Sequence, residues 1–464
     1  MNYKARRNKL IESFSKNELL FFPGNTFSPK NYKDNYYRFR QDSTFLYYSG
    51  LDLPDLALVI DTTTGESHLF GNEVTTSDIV WTGWQPSLTE LAEKSSLEQV
   101  HELSSLPEFL QEENRSILYL PPYRGETQIM VANCLSINVQ EMLDNVSVTL
   151  IDAVVARREI KEEAEITEME KALTITRQMH LEMLYSAKPG ATEAAALAAA
   201  IKLAEENQVS LAYPGIVTVD GEILHNHHHG NVMKEGDLLL CDVGAESPSY
   251  YAADITRTFP VSLTFGEQQK AIYQLVLDML DYSVTELRPG HPYRDVHIGA
   301  TRIMIEGLKQ LGLMQGDTDA ALAAGAGALF FPHGLGHMIG LDVHDMENLG
   351  EDRVGYGSGY ERGDQFGIRS LRLGKELAAG HVITVEPGIY FIDALTNQWE
   401  AEKTHSDFIN YSEVRKYIGL GGVRLEDNYL ITQEGSRLLG PPIPIQIEEI
   451  EFLKSTTVDF GGRA

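Results

Sequence analysis

Four acidic residues and a group of histidines in the second half of the chain have the types and spacing for metal chemistry. The segment LLLCDVGAESPSYYAADITRTF reads as a β-hairpin turning at Ser247-Pro248-Ser249. Centred on Pro248, it sets Asp242 opposite Asp254, with β-carbons about 5 Å apart. Carboxylates that close repel unless one is protonated or a cation lies between them. Asp242 also follows the apolar run Leu238 to Cys241, which reads as buried. A buried aspartate is rare unless paired or metal-bound. Glu386, inside VITVEPGIYF, and Glu426, inside GGVRLEDNYLIT, read as a second acidic pair on strands. Four carboxylates in one cleft call for about two divalent cations, which at about 3.5–4 Å separation activate a water.

HGLGHMIGLDVHD supplies His333, His337 and His344, interleaved with Gly334, Gly336 and Gly340, which let the backbone bend and approach a ligand closely. A lone histidine is more often structural; three so close together shift the balance towards a site. HNHHHG adds His225, His227, His228 and His229, which read as a surface loop. An oxygen-rich set with one imidazole favours Mn(II), with Co(II) or Zn(II) able to replace it in vitro. A structural zinc would need more Cys or His.

These residues need strands to carry them and helices to cover the strands. From 156 to 464 one order of elements occurs twice: helix, basic residue with Pro-Gly, helix, strands. Lys188-Pro189-Gly190 precedes TEAAALAAAIKLAEEN, and Arg288-Pro289-Gly290 precedes YRDVHIGATRIMIEGLKQLG. Two similar α/β halves facing one another across a cleft are expected. ITEMEKALTITRQMHLEML leads in, with Ile166, Met169, Leu173, Ile175 and Met179 at helical spacing. Residues 1–155 read as a separate mixed α/β domain. Its strand-like runs are ELLFF, FLYYSG, LALVID, SHLFG, SILYLP and VSVTLID, with helical stretches near 88–112 and 126–144. The fold class is therefore α/β (α+β) in two domains, 1–155 and 156–464.

Composition narrows the partners. With 38 basic against 67 acidic side chains among 464 residues, the formal charge of −29 repels phosphate and argues against nucleic acid. Cys134 and Cys241 are the only cysteines, so no disulfide framework is expected and a reducing cytoplasm fits. No run of about 18 apolar residues is present, so no membrane span is expected. The segment after the basic N-terminus is too polar for a signal-peptide core.

The order Asp242, Asp254, His337, Glu386, Glu426 resembles the five-ligand set of the pita-bread metallopeptidases. The longer strings resemble the Xaa-Pro peptidases among them, aminopeptidase P and prolidase. These strings are ILHN (223–226), DVGAE (242–246), ADITRTFP (253–260), HGLGHMIGLDVHD (333–345), TVEPGIYF (384–391) and GGVRLED (421–427). FRQDSTFLYYSG (39–50) resembles the N-terminal domain of the same enzymes. The resemblance implies a pita-bread catalytic domain that cleaves the bond before proline by attack of a dimetal-bridging hydroxide. In it Asp254 and Glu426 bridge two metals, Asp242 binds one, and His337 with Glu386 the other. Glu386 also takes a proton. His225, His333 and His344 match histidines that hold the substrate and assist proton transfer, and Arg424 and Tyr390 match polar supports near the metals, with Tyr390 placed against the substrate. A homodimer is the implied assembly.

Substrate length turns on GIRSLRLGKEL, which resembles prolidase and whose Arg372 matches an arginine holding the free carboxylate of a terminal proline. An Xaa-Pro dipeptidase is thus the principal expectation. An aminopeptidase acting on longer Xaa-Pro peptides is the alternative, because every other motif is common to both. Methionine aminopeptidase uses the same ligands but usually lacks a first domain of this kind. Metal-free, non-catalytic relatives have lost ligands that this chain keeps.

Overall fold

The computed structural model describes residues 1–111, 115–357 and 359–458, which fall into two units, Met1–Arg158 and Glu159–Ala464. The first unit is built on a five-stranded mixed sheet. Its order is Gln99–Glu102, Ser67–Gly71, Ala57–Asp61, Glu18–Pro23, Ser116–Tyr119, antiparallel in the middle and parallel at both edges. Leu19, Phe21, Val59 and Phe70 are buried in one core with Val131 and Met142 from the helices.

Two runs expected as strands are helices. FLYYSG forms Ser43–Ser49: the Asp42 carboxylate accepts the Phe45 N–H at its start, and Gly50 ends it at φ +68°. Its aromatic residues suit a strand by composition, but the caps and burial on every side favour a helix. VSVTLID enters helix Val148–Arg158, with Leu150, Ile151, Val154 and Val155 buried at helical spacing. The stretch 88–112 is not one helix: Leu88–Ser95 and Leu106–Gln111 flank the edge strand Gln99–Glu102.

The second unit repeats its plan. Helices Glu163–Ser186 and Glu193–Glu206 precede a three-stranded antiparallel sheet of Ile216–Thr218, Leu238–Asp242 and Thr256–Pro260. Helices Glu267–Glu286 and Tyr293–Gln310 precede a sheet of Ser436–Leu438, Asp427–Ile431 and Val382–Val385, and a ribbon of Gly388–Tyr390 with Gly422–Arg424. In the leading helix Ile166, Met169, Leu173 and Met179 are buried, with Ile175 half-buried at the edge. The two Pro-Gly corners match closely. Gly190 and Gly290 turn at φ +87° and +78°, and their N–H groups donate to Met233 and Leu377 carbonyls at 2.9 and 2.8 Å. Both corners then bridge to a later segment, Thr192 with Val232 and Pro292 with Glu376.

Candidate metal centre

The hairpin is present, but its register differs from the expected one. Asp242 pairs with Thr256, not with Asp254. The Ser247 N–H reaches the Tyr251 carbonyl (2.8 Å), and Tyr250 sits at φ +68°, so the turn centres on Ser249. Glu246 bridges to Ala252, and the same register sets Asp254 against Gly244. The pairing has slipped by two residues. Because strand side chains alternate with period two, Asp242 and Asp254 still share a face. Gly244 is required there: a β-carbon would fall 1.8 Å from the Ala253 carbonyl oxygen.

The second acidic pair lies in breaks between strands rather than within them. Val382–Val385 pairs with Asp427–Ile431, and Gly388–Tyr390 pairs with Gly422–Arg424. Glu386-Pro387 and Leu425-Glu426 fill the gap on either side, where Pro387 has no N–H to continue a ladder. The break frees backbone groups for other partners. Glu386 N–H donates to the Leu335 carbonyl (2.8 Å) and Glu426 N–H to that of Thr256 (3.0 Å). Thr256 thus pairs with Asp242 in one half and bridges to Glu426 in the other, and its Oγ1 donates to Glu426 Oε2 at 2.7 Å.

His337 reaches this point from the glycine-rich stretch. Its N–H donates to Thr384 Oγ1 (3.0 Å), and its Nδ1 bonds the Met338 carbonyl at 3.0 Å. That partner makes Nδ1 the protonated nitrogen and leaves Nε2 facing the carboxylates, 3.3 Å from Asp254 Oδ2 and 3.8 Å from Glu386 Oε1. Asp254, His337 and Glu426 bring one ligand atom each within 4.8 Å of one another. Asp242 and Glu386 line the same cavity, of about 460 Å³. Asp242 stands outside that group of three; Tyr213 donates to its Oδ1 (2.6 Å) and Arg424 Nη2 to its Oδ2 (2.5 Å).

The electrostatics fit divalent cations. Burial raises Glu426 well above the carboxylate range, and Asp254, Glu386 and Asp242 raise it further. Glu386 rises for the same first reason, opposed by His337 and Arg424. Asp242 rises through burial, with Arg424 pulling it back. Burial would lower His337, but Asp254 and Glu386 outweigh it and hold the ring at about 9. The raised carboxylates reflect burial first, with neighbouring carboxylates adding to it at Glu426, and bound cations would offset that cost.

Around the acidic floor, Arg424 is the organiser. Its Nε meets Thr256 Oγ1 (3.1 Å), its Nη1 the Tyr390 hydroxyl (3.0 Å) and its Nη2 Asp242. Tyr390 then bonds His333 Nε2 at 2.7 Å, while His333 Nδ1 bonds the Gly334 carbonyl at 2.8 Å. Burial first, then Arg424, lowers His333 to about 3, so the ring is neutral. Tyr390 is fully buried behind His333 and is not among the cavity-lining residues, which differs from its expected place against substrate. His225, His333 and His344 do line the cavity, as does His227 from the loop read as surface. The His344 ring stands edge-on to His337, centroids 4.3 Å apart, and its Nδ1 is 3.2 Å from Glu347 Oε2. Arg372 lines the cavity as well, with Nη1 2.5 Å from Glu347 and 3.0 Å from Glu351.

Tyr213, Thr256 and Glu347 escaped the sequence reading. Thr256 carried a signal, since it lies two residues after Asp254 in the same strand direction and so faces the same way. Tyr213 and Glu347 reach the site from irregular segments, where no periodicity marks a direction.

Residues 167–433 match metallopeptidase family M24, and residues 3–119 match the N-terminal domain of aminopeptidase P. A probable Xaa-Pro aminopeptidase of Fusarium vanettenii is 34% identical over 423 residues, covering 90% of this chain and 88% of that protein. The Xaa-Pro dipeptidase of Mus musculus is 34% identical over 426 residues, covering 89% and 84%. The structure of zinc-substituted Escherichia coli aminopeptidase P in complex with product superposes with a TM-score of 0.82 at 27% identity, over 98% of both chains. The buried acidic floor, the imidazole turned towards it and these matches agree: the chain belongs to metallopeptidase family M24 and is a metallopeptidase.

Proposed function

We propose that the protein hydrolyses the peptide bond before proline, principally in Xaa-Pro dipeptides, with two Mn(II) ions held by Asp242, Asp254, His337, Glu386 and Glu426. The observation that carries this reading is the convergence of all five side chains on one cavity that Arg372 and four further histidines also line. Relatives named as Xaa-Pro dipeptidase and Xaa-Pro aminopeptidase support the substrate class. Bound divalent cations lower the pKa of water and polarise the scissile carbonyl.

The chain's own groups do the rest. Asp242 and Asp254 from the first half's hairpin, with His337, Glu386 and Glu426 from the second half, would hold the ions. Glu386 accepts the proton of the attacking water at its carboxylate and passes it on towards the proline nitrogen. His225 and His344 hold the substrate and steady the charge that develops on its carbonyl oxygen, while His333, whose two nitrogens are taken by Tyr390 and Gly334, lines the substrate side with its ring. Arg424 and Tyr390 lock the His333 tautomer and the Asp242 orientation from behind. Arg372 receives the terminal carboxylate of a dipeptide, a contact that a longer peptide cannot make in the same way. The catalytic part is residues 156–464, with 1–155 as a companion domain. A homodimer in the cytoplasm completes the reading; no described helix is long and apolar enough to cross a membrane.

A second reading, an aminopeptidase acting on longer peptides, is favoured by one observation: Arg372 already carries two carboxylates. The test is to strip the protein with a chelator, restore it with Mn(II), and assay Ala-Pro, Ala-Pro-Ala and Ala-Gly. Hydrolysis of Ala-Pro that returns with Mn(II) and exceeds that of the other two is expected. Faster cleavage of Ala-Pro-Ala selects the aminopeptidase, and cleavage of Ala-Gly alone rejects the proline requirement.

A further inference from the structure

We propose that Glu347 sets the choice between substrates with a free terminal carboxylate and extended ones, by occupying the guanidinium that would hold that carboxylate. This rests on the Xaa-Pro reading and on Arg372 as the carboxylate contact.

Glu347 Oε2 lies 2.5 Å from Arg372 Nη1 and 3.2 Å from His344 Nδ1, so one oxygen serves both. Glu351 Oε2 lies 3.0 Å from the same Nη1. Nη1 has two hydrogens, and these two carboxylates use both. A fork across Nη1 and Nη2 is therefore closed to an incoming carboxylate, which must take the Nε–Nη2 edge or expel a glutamate. Glu351 has a second cation, Arg362, which also pairs with Asp352. Among the described residues Arg372 is the one permanently charged partner that Glu347 has.

Glu347 is also held in place. It opens a single helical turn entered by Met346 at φ +63°. Two residues upstream Asp345 is anchored by a fully buried ion pair with Lys161, 2.9 Å apart, and its N–H donates to the Met338 carbonyl at 3.0 Å. The carboxylate that faces Arg372 therefore stands on a rigid support beside His344. A terminal carboxylate docking at Arg372 is repelled by the fixed negative charge of Glu347, whereas a neutral amide or an extended chain is not. Displacing Glu347 would also remove the acceptor at His344 Nδ1, so carboxylate binding and the orientation of His344 are linked.

Glu347→Gln tests this, because the amide keeps the side chain's size and an oxygen for His344 while removing the charge. The readout is the ratio of kcat/KM for Ala-Pro to that for Ala-Pro amide, in Mn(II)-loaded full-length protein. The ratio cancels general damage to the site. It is expected to rise about tenfold, mainly through a lower KM for Ala-Pro. Glu351→Gln, whose carboxylate is shared with Arg362, should move it less. An unchanged or lower ratio in Glu347→Gln overturns the proposal and leaves Glu347 as a support for His344 only. If the wild-type protein cleaves neither compound, the Xaa-Pro reading fails. Calorimetric titration with proline and prolinamide then decides Glu347 alone: tighter proline binding by the variant, with prolinamide unmoved, upholds the proposal, and equal proline binding overturns it.

Discussion

The floor and the rim of the cavity are both built from acids and bases, but they are held differently. On the floor, Asp242 and Thr256 occupy paired strand positions, Glu426 bridges to Thr256, and Asn428 fixes the Asp254 backbone through both its N–H (3.1 Å) and its carbonyl (2.7 Å). On the rim, Arg372, Glu347, Glu351 and Arg362 meet on short turns, partly open to water. Floor positions are set by main-chain hydrogen bonds, which substituting one of the metal-facing carboxylates leaves intact. On the rim the Glu347 backbone is anchored through Asp345, but the side chains are oriented by their ion pairs, so substitution there re-sorts partners. The floor is suited to fixed chemistry and the rim to choice among substrates.

The sharpest way to break the floor is Asp254→Asn. It keeps shape and the Asn428 contacts but removes the charge closest to His337 Nε2. We expect kcat to fall about a thousandfold or more, with metal content falling alongside, read by elemental analysis and Ala-Pro turnover. Full metal content with full activity would remove Asp254 from the ligand set. Next is Lys161→Met, which takes the ammonium away from Asp345 in a site where both partners are 1% exposed. Leaving a buried charge unpaired costs about 3 kcal/mol or more, read as a lower urea midpoint. Lys161→Met with Asp345→Asn should recover most of that loss. If the double variant is no better than the single one, the pair is not what holds the loop.

That contrast also governs what the sequence could disclose. Asp242 and Asp254 were legible as a pair because parity along strands survives an error of register: the turn is one residue off, the pairing two, and the face unchanged. The repeated basic-Pro-Gly corners were legible because Gly190 and Gly290 need positive φ at equivalent bends. FLYYSG misled because its composition suits strands, while the cap at Asp42 and the stop at Gly50 decide the outcome. Glu386 and Glu426 were expected within strands; the break that frees their backbone depends on which strand each half-strand pairs with, which no local pattern encodes. The rim was least legible. Arg372 stood out through resemblance, but the glutamates that occupy it arrive from a turn over twenty residues earlier.

Arg424→Lys probes the support behind the floor. A lysine supplies one ammonium in place of a fork that meets Asp242, Thr256 and Tyr390 together. With metal content largely kept, kcat should fall about 10- to 100-fold. An unchanged rate would mean that Tyr390 and His333 hold their orientation without it.

The smallest expected effect separates the two regions by sign. Burial would raise Glu347, but His344 and Arg372 outweigh it and hold the carboxyl at about 2, below its ordinary 4.5. A lowered folded-state value means that ionisation stabilises the folded form. The contribution is complete above about pH 4.5 and is lost as pH falls towards 2. On a rim in contact with water it amounts to about 1–2 kcal/mol. On the metal-free floor the sign reverses: Glu426 and Glu386 are raised, so their charged forms weigh against folding, and that penalty eases as pH falls. Urea unfolding of chelator-treated wild type and Glu347→Gln between pH 7 and 3 tests the rim directly. The stability difference should be largest at pH 7 and should close on acidification, because the variant has no proton to take up at this position. A difference independent of pH would mean that packing, not charge, holds Glu347 against Arg372, and would place the rim with the floor as a fixed element.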